Sequence, residues 1–80
     1  MKIQEMLETI TSVEKERNVN VYLRYDVDTG WAFEMWGKFK GDDICHTHVV
    51  PSNQIAIWDI GILEGFLHRM ASDIDIGVIC

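Results

Sequence analysis

The chain has 80 residues, of which 48% are hydrophobic and 25% are charged, and its formal net charge is −6. This length predicts a single domain spanning residues 1–80, and the apolar content is too high for a disordered tail. Thirteen acidic residues against seven basic ones disfavour direct binding to nucleic acid or to an anionic membrane surface, because both need Lys and Arg. A protein partner with a basic surface fits this charge better. The plainer alternative is that the acids only keep the domain soluble.

Neither a secretory signal nor a membrane span is expected. The N-terminal segment MKIQEMLETI is interrupted by Glu5 and Glu8 and lacks an apolar stretch. No run approaches the roughly 20 apolar residues that a span requires. The two cysteines, Cys45 and Cys80, are too few for a disulfide framework, so we expect the protein to reside in a reducing cytoplasm.

The first predicted element is an amphipathic helix from Lys2 to Asn18, because apolar residues recur there at helical spacing. Its predicted buried stripe consists of Ile3, Met6, Leu7, Ile10 and Val13.

After this helix the apolar residues recur at every second position, which predicts three strands with short connections. They cover residues 19–25, 31–39 and 44–50, with turns at 26–30 and 40–43, and Pro51 ends the third. These strands are expected to form an antiparallel meander.

A second helix is expected after Pro51. It begins between Asn53 and Ile60, since Ser52, Asn53 and Asp59 are all suitable caps, and it ends near Ser72. Ile74, Ile76 and Val78 alternate with other residues, which makes a short terminal strand plausible.

The predicted fold class is therefore α+β, a three-stranded antiparallel sheet with two helices packed on one face. The other face is left to solvent or to a partner. The predicted outward residues of the first two strands are Tyr22, Arg24, Glu34, Trp36 and Lys38. On the third strand, Cys45, Thr47 and Val49 are predicted to face the helices, with His46 and His48 outward.

His46 and His48 are the one local pair with metal-ligand character, since both lie on the same face of a strand. A site needs three or four ligands, and His68 and Cys80 have no characteristic spacing from the pair. Cys45 and His46 point to opposite faces of a strand and so do not form a catalytic dyad. The sequence therefore predicts no metal, no cofactor and no enzymatic activity.

Trp36 stands in the polar phase of the second strand, between Glu34 and Lys38, where a surface strand normally carries Thr or Arg. Tyr22 has the same phase on the neighbouring strand, so the two rings are expected side by side. Aromatic side chains of this size are favoured binding anchors. Tyr22, Glu34 and Trp36 are thus a predicted binding surface, and a ring pair that only steadies the sheet is the alternative.

Pairs of acids occupy the predicted turns, Asp26 with Asp28 and Asp42 with Asp43. Asp is an ordinary turn residue, but carboxylates grouped at loop tips also imitate a row of phosphates. These four residues complete the predicted partner-binding set.

The order helix, three strands, helix resembles the double-stranded-RNA-binding domain. Residues 53–62, at the start of the second helix, contain no Lys or Arg, so the RNA-binding function of that family does not carry over. In its size, its N-terminal helix MKIQEMLETI and its acidic turns DVDTG and GDD, the chain also resembles the small acidic phage proteins that inhibit CRISPR nucleases (anti-CRISPR proteins). That resemblance implies an inhibitor whose carboxylates fill a nucleic-acid-binding groove.

The expected function is a non-enzymatic inhibitor that docks on a protein partner. The alternative is a structural or regulatory homodimer assembled through the open sheet face, and a metal-binding protein using His46 and His48 comes third.

Overall fold

A computed structural model describes residues 1–78, and it confirms the α+β class. In chain order the elements are α1 Ile3–Arg17, β1 Asn20–Asp26, β2 Gly30–Phe39, β3 Asp42–Val50, α2 Ser52–Ile55 and α3 Ile60–Asp75. The strands form one antiparallel sheet in the order β1-β2-β3. The long helices α1 and α3 pack against each other and against one face of this sheet. Among the helices within residues 1–78, none is long and apolar enough to cross a membrane.

The core lies between the sheet and the two long helices. Its buried residues are Met6, Ile10, Val13, Val19, Phe33, Met35, Val50, Ile55, Leu63, Leu67, Met70, Ala71 and Ile74. Two residues of the predicted α1 stripe, Ile3 and Leu7, are instead exposed. The buried stripe is shifted towards Thr9, which is buried, because α3 packs on that side of α1. The prediction for Ile3 and Leu7 was therefore wrong.

The β2–β3 turn fixes the register of β3. Lys40 and Gly41 both have positive φ, 52° and 86°, as a two-residue hairpin loop of type I′ requires. Phe39 therefore pairs with Asp42, and counting along the strands places His46 opposite Met35.

Directly opposed residues of a sheet point to the same face, so His46 and His48 share the helix face with Met35 and Phe33. The predicted orientation of β3 was wrong. Cys45, Thr47 and Val49 point to the other face.

The segment after Pro51 forms two helices. Asp59 caps the longer one, its carboxylate accepting the Ile62 N–H at 2.9 Å, so α3 begins at Ile60. This helix continues past the predicted end at Ser72. Ile74 lies inside it and is buried, and the turn at residues 76–77 follows. The predicted terminal strand is therefore not formed over residues 74–78, and residues 79–80 lie outside the part that the structure describes.

Candidate partner-binding face

The sheet face opposite the helices is the open face of the molecule. Its side chains are Asn20, Tyr22, Arg24, Ala32, Glu34, Trp36, Lys38, Asp43, Cys45, Thr47 and Val49. Tyr22 is 58% exposed and Trp36 is 39% exposed, whereas Phe33 and Met35, on the other face of the same sheet, are fully buried. The prediction that Trp36 lies partly exposed on the outer face is confirmed.

Trp36 is held in place by its neighbour on the same strand. The indole N–H donates to the Glu34 carboxylate at 2.7 Å. Because this bond satisfies the only polar atom of the indole, the ring offers an oriented apolar surface. The register pairs Trp36 with Asn20, and Tyr22 with Glu34. The two rings are therefore diagonal neighbours on adjacent strands of the sheet.

A depression of about 320 Å³ lies between the start of β1 and the end of β2. It is lined by Asn18, Asn20, Tyr22, Trp36, Gly37, Lys38 and Asp43. Asn18, one of these residues, ends α1 in the left-handed conformation, with φ 56°. The depression combines aromatic walls with amide and charged groups, and its volume is at the lower end of the range for small-molecule pockets. It suits a side chain inserted by a partner better than an enclosed substrate.

The charge of Lys38 is locally balanced. Its Nζ donates to Asp43 at 2.7 Å. This hydrogen bond and the negative charge of Asp43 raise the pKa of Lys38. Both side chains are exposed, so the ion pair contributes little to stability. Its effect on the open face is to reduce the repulsion that Lys38 would exert on a basic partner.

The two acidic hairpin tips lie at opposite ends of the sheet. Strand β2 joins them and has ten residues, so the tips are roughly 30 Å apart. The Asp26 carboxylate accepts the backbone N–H groups of Asp28 and Thr29 at 2.8 and 3.3 Å, and so stabilises its own turn. Within residues 1–78, no hydrogen bond or ion pair engages the carboxylates of Asp28 and Asp42. These two are the tip acids available to a partner.

The histidine pair is part of the core boundary. His46 is 4% exposed, and its Nε2 lies 3.3 Å from a carboxylate oxygen of Asp73 on α3. The His48 ring packs edge-on against Phe66, with centroids 5.3 Å apart. In the described part of the chain, no group of three or more His, Cys, Asp or Glu is placed to hold a metal ion. Cys80, the other sequence candidate, lies outside that part.

Sequence reasoning missed three residues of the open face, namely Cys45, Thr47 and Val49. Cys45 lies directly across from Trp36, and its Sγ is 3.6 Å from the Thr47 hydroxyl. The signal that identifies them is the dipeptide Lys40-Gly41. A two-residue loop with glycine fixes which β3 residue faces each β2 residue.

The chain was compared with protein-family models, curated proteins and solved structures, and none of them matches. The resemblances to the double-stranded-RNA-binding domain and to the phage inhibitors of CRISPR nucleases remain predictions.

Proposed function

We propose that this chain is a non-enzymatic binding protein that docks on a protein partner through its open face, with Trp36 and Tyr22 as anchors. The observation that carries the proposal is the position of Trp36. A large apolar ring lies 39% exposed on an uncovered sheet face, with its polar atom already satisfied by Glu34. Anchors of this type dominate protein interfaces, where truncation to Ala commonly costs about 2 kcal/mol or more.

The separation of Cys45 from His46 supports a binding function over catalysis. Cys45 is on the open face, whereas His46 is buried beneath α3 against Asp73. A nucleophile and its base must be within hydrogen-bond reach, and these two side chains point away from each other.

The charge supports a partner with a basic surface. Thirteen acids against seven bases steer such a partner towards the chain. The acidic tips, roughly 30 Å apart, span the length of about nine base pairs of DNA at 3.4 Å each. We therefore take the partner to be a nucleic-acid-handling protein, such as a CRISPR effector, which this chain inhibits by occupying the nucleic-acid site.

The test begins with affinity capture of the partner and continues with its binding kinetics. Asp28→Lys with Asp42→Lys is expected to slow association, because these carboxylates face solvent at the tips. Glu8→Lys with Glu64→Lys is the matched control, with the same change of charge on the helix layer. Binding is expected to weaken as salt rises, since exposed charges are screened.

Trp36→Ala is expected to act mainly on dissociation, since loss of a buried anchor raises the off-rate. Leu7→Ala, which removes an exposed apolar side chain of α1, is its control. Salt-insensitive binding, or simultaneous binding of the partner's nucleic acid, contradicts the inhibitory mimicry and leaves only the aromatic contact. Self-association that Trp36→Ala abolishes indicates the homodimer through the open face instead.

A further inference from the structure

We infer that the free edge of β3 pairs antiparallel with β3 of a second copy of this chain, which joins two sheets into one of six strands. This surface is separate from the open face, and the inference does not depend on the proposed function. It rests on the backbone groups of β3, on the absence of Asp, Glu, Lys and Arg from residues 44–50 and on the adjacent flank of α3.

The hydrogen-bonding directions of the sheet follow from two observations. The Val21 N–H donates to the Glu14 carboxylate at 2.9 Å and therefore points away from β2. The two-residue loop makes Phe39 and Asp42 a hydrogen-bonded pair of β2 and β3. Backbone groups alternate along antiparallel strands. Both observations give the same result, that the N–H and C=O groups at 43, 45, 47 and 49 point out of the sheet at the β3 edge.

The two edges of the sheet differ in the hydrogen-bond partners of their outward N–H groups. On β1 the Glu14 side chain occupies the outward N–H of Val21. On β3, among the hydrogen bonds of residues 1–78, none reaches the outward N–H groups of Cys45, Thr47 or Val49. Natural proteins usually block such an edge with Pro, Lys or a bulge, and β3 pairs without interruption from Asp42 to Val50 and contains neither residue. An edge of this kind is suited to adding a strand.

The sequence of β3 favours its own copy as that strand. Residues 44–50 carry no Asp, Glu, Lys or Arg and include Ile44, Thr47, Val49 and Val50, which have high strand propensity. Full antiparallel overlap centred on His46 places Asp43 opposite Val49 of the copy. Sliding the copy by two or four residues still keeps Asp42 and Asp43 away from their equivalents. No such register therefore puts like carboxylates opposite each other, which would be destabilising.

The flank of α3 beside this edge is partly apolar. Phe66 packs on His48 and Asp73 lies against His46, so these two residues mark the side of α3 that overhangs β3. One turn before each of them lie Ile62, which is 48% exposed, and Arg69, which is exposed. A second copy at the β3 edge covers this flank as well, and adds apolar contact to the strand pairing.

The alternation of inward and outward backbone groups along β3 also fixes how the two copies are oriented. Outward groups at odd-numbered positions must bond to odd-numbered positions of the copy, so the two open faces lie on the same side of the joined sheet. The dimer therefore presents two Trp36 side chains on one surface.

Sedimentation equilibrium between about 10 μM and about 1 mM is expected to show a monomer–dimer equilibrium. Thr47→Pro is expected to remain monomeric and folded, because Thr47 N–H points outward and a proline there removes no bond within the sheet. Thr47→Val keeps that N–H and should dimerise. Tyr25→Pro makes the matched change on the β1 edge and should also dimerise, as should Trp36→Ala.

Amide hydrogen exchange of the unmodified chain gives an independent readout that does not depend on any variant folding. Exchange at Cys45, Thr47 and Val49 should slow as the protein concentration rises, while exchange at Leu23 and Tyr25 does not change. A chain that is monomeric at 1 mM, a dimer without protection at these three amides, or a folded Thr47→Pro variant that still dimerises overturns the inference. Dimerisation lost in Trp36→Ala and kept in Thr47→Pro assigns the contact to the open face instead.

Discussion

His46→Ala should destabilise the fold much more than the neighbouring change Thr47→Ala, because the two residues lie on opposite faces of β3. His46 is 4% exposed beneath α3, with Asp73 at 3.3 Å and the His48 ring 6.2 Å away between centroids. Thr47 is half-buried on the open face. Both changes produce Ala in the same strand, and Thr has high strand propensity, so strand propensity alone would make Thr47→Ala the costlier change.

The size of the difference follows from what each side chain contacts. Truncating a buried side chain costs about 2–5 kcal/mol, and here Asp73 also loses the ring beside it. The strand-propensity scale spans only about 1 kcal/mol, which bounds the effect at Thr47. A difference of about 2 kcal/mol corresponds to roughly 8–16 °C in the melting temperature of a domain of this size.

Thermal and urea denaturation of the two variants, followed by circular dichroism, measures this difference. If Thr47→Ala proves the more destabilising, β3 is shifted by one residue, and Cys45, Thr47 and Val49 do not belong to the open face. A one-residue shift moves every side chain of a strand to the other face, so the result decides which β3 residues a partner meets.

Further predictions concern positions that hold the two layers together. Asp59→Ala removes the cap of α3 and should cost about 1 kcal/mol of unfolding free energy, measured by urea titration, with Asp59→Ser largely restoring it; an unchanged midpoint contradicts the cap. Gly37→Ala should cost about 1–3 kcal/mol by overpacking, because an added Cβ would lie 2.8 Å from Ile74 Cγ2. Gly65→Ala is the control, since a Cβ there meets nothing within 4 Å; it should be neutral or stabilising, and an equal loss in both variants contradicts the close approach of α3 to β2.

The alternation of β2 was sufficient to predict the most informative part of the fold. Phe33 and Met35 are buried and Trp36 is outward because a side chain on a central strand must take one of two faces. The cap at Asp59 was also available from the sequence, although Ser52 and Asn53 competed with it. Of the three candidates only Asp59 acts as a cap, because α2 begins at Ser52 itself, with Pro51 in its cap position and no side-chain cap hydrogen bond.

The end of α3 was missed because two periods fit the same residues. Ile74, Ile76 and Val78 alternate as in a strand, yet Ile74 also continues the helical stripe of Leu67 and Met70. The helix forms because it buries Ile74 against the sheet. That burial depends on a neighbouring element, which the local sequence does not reveal. Ile3 and Leu7 were misplaced for a similar reason, because only the position of α3 determines which side of α1 is covered.

The orientation of β3 was missed because its two faces are similar in polarity. Cys45, Thr47 and Val49 are as compatible with a buried face as His46, His48 and Val50. Hydrophobicity therefore does not distinguish them, and the register is set by the loop at Lys40-Gly41. The β1–β2 hairpin likewise sets the register that makes Tyr22 and Trp36 diagonal neighbours.

Affinity capture with the unmodified chain and with Trp36→Ala, both shown to be folded, tests most directly whether the open face binds a protein partner. The unmodified chain and Leu7→Ala are expected to retain the same partner in similar amounts, and Trp36→Ala and Tyr22→Ala are expected to lose most of it. A folded Trp36→Ala variant that retains as much of the partner as the unmodified chain contradicts the assignment of the binding surface to the open face.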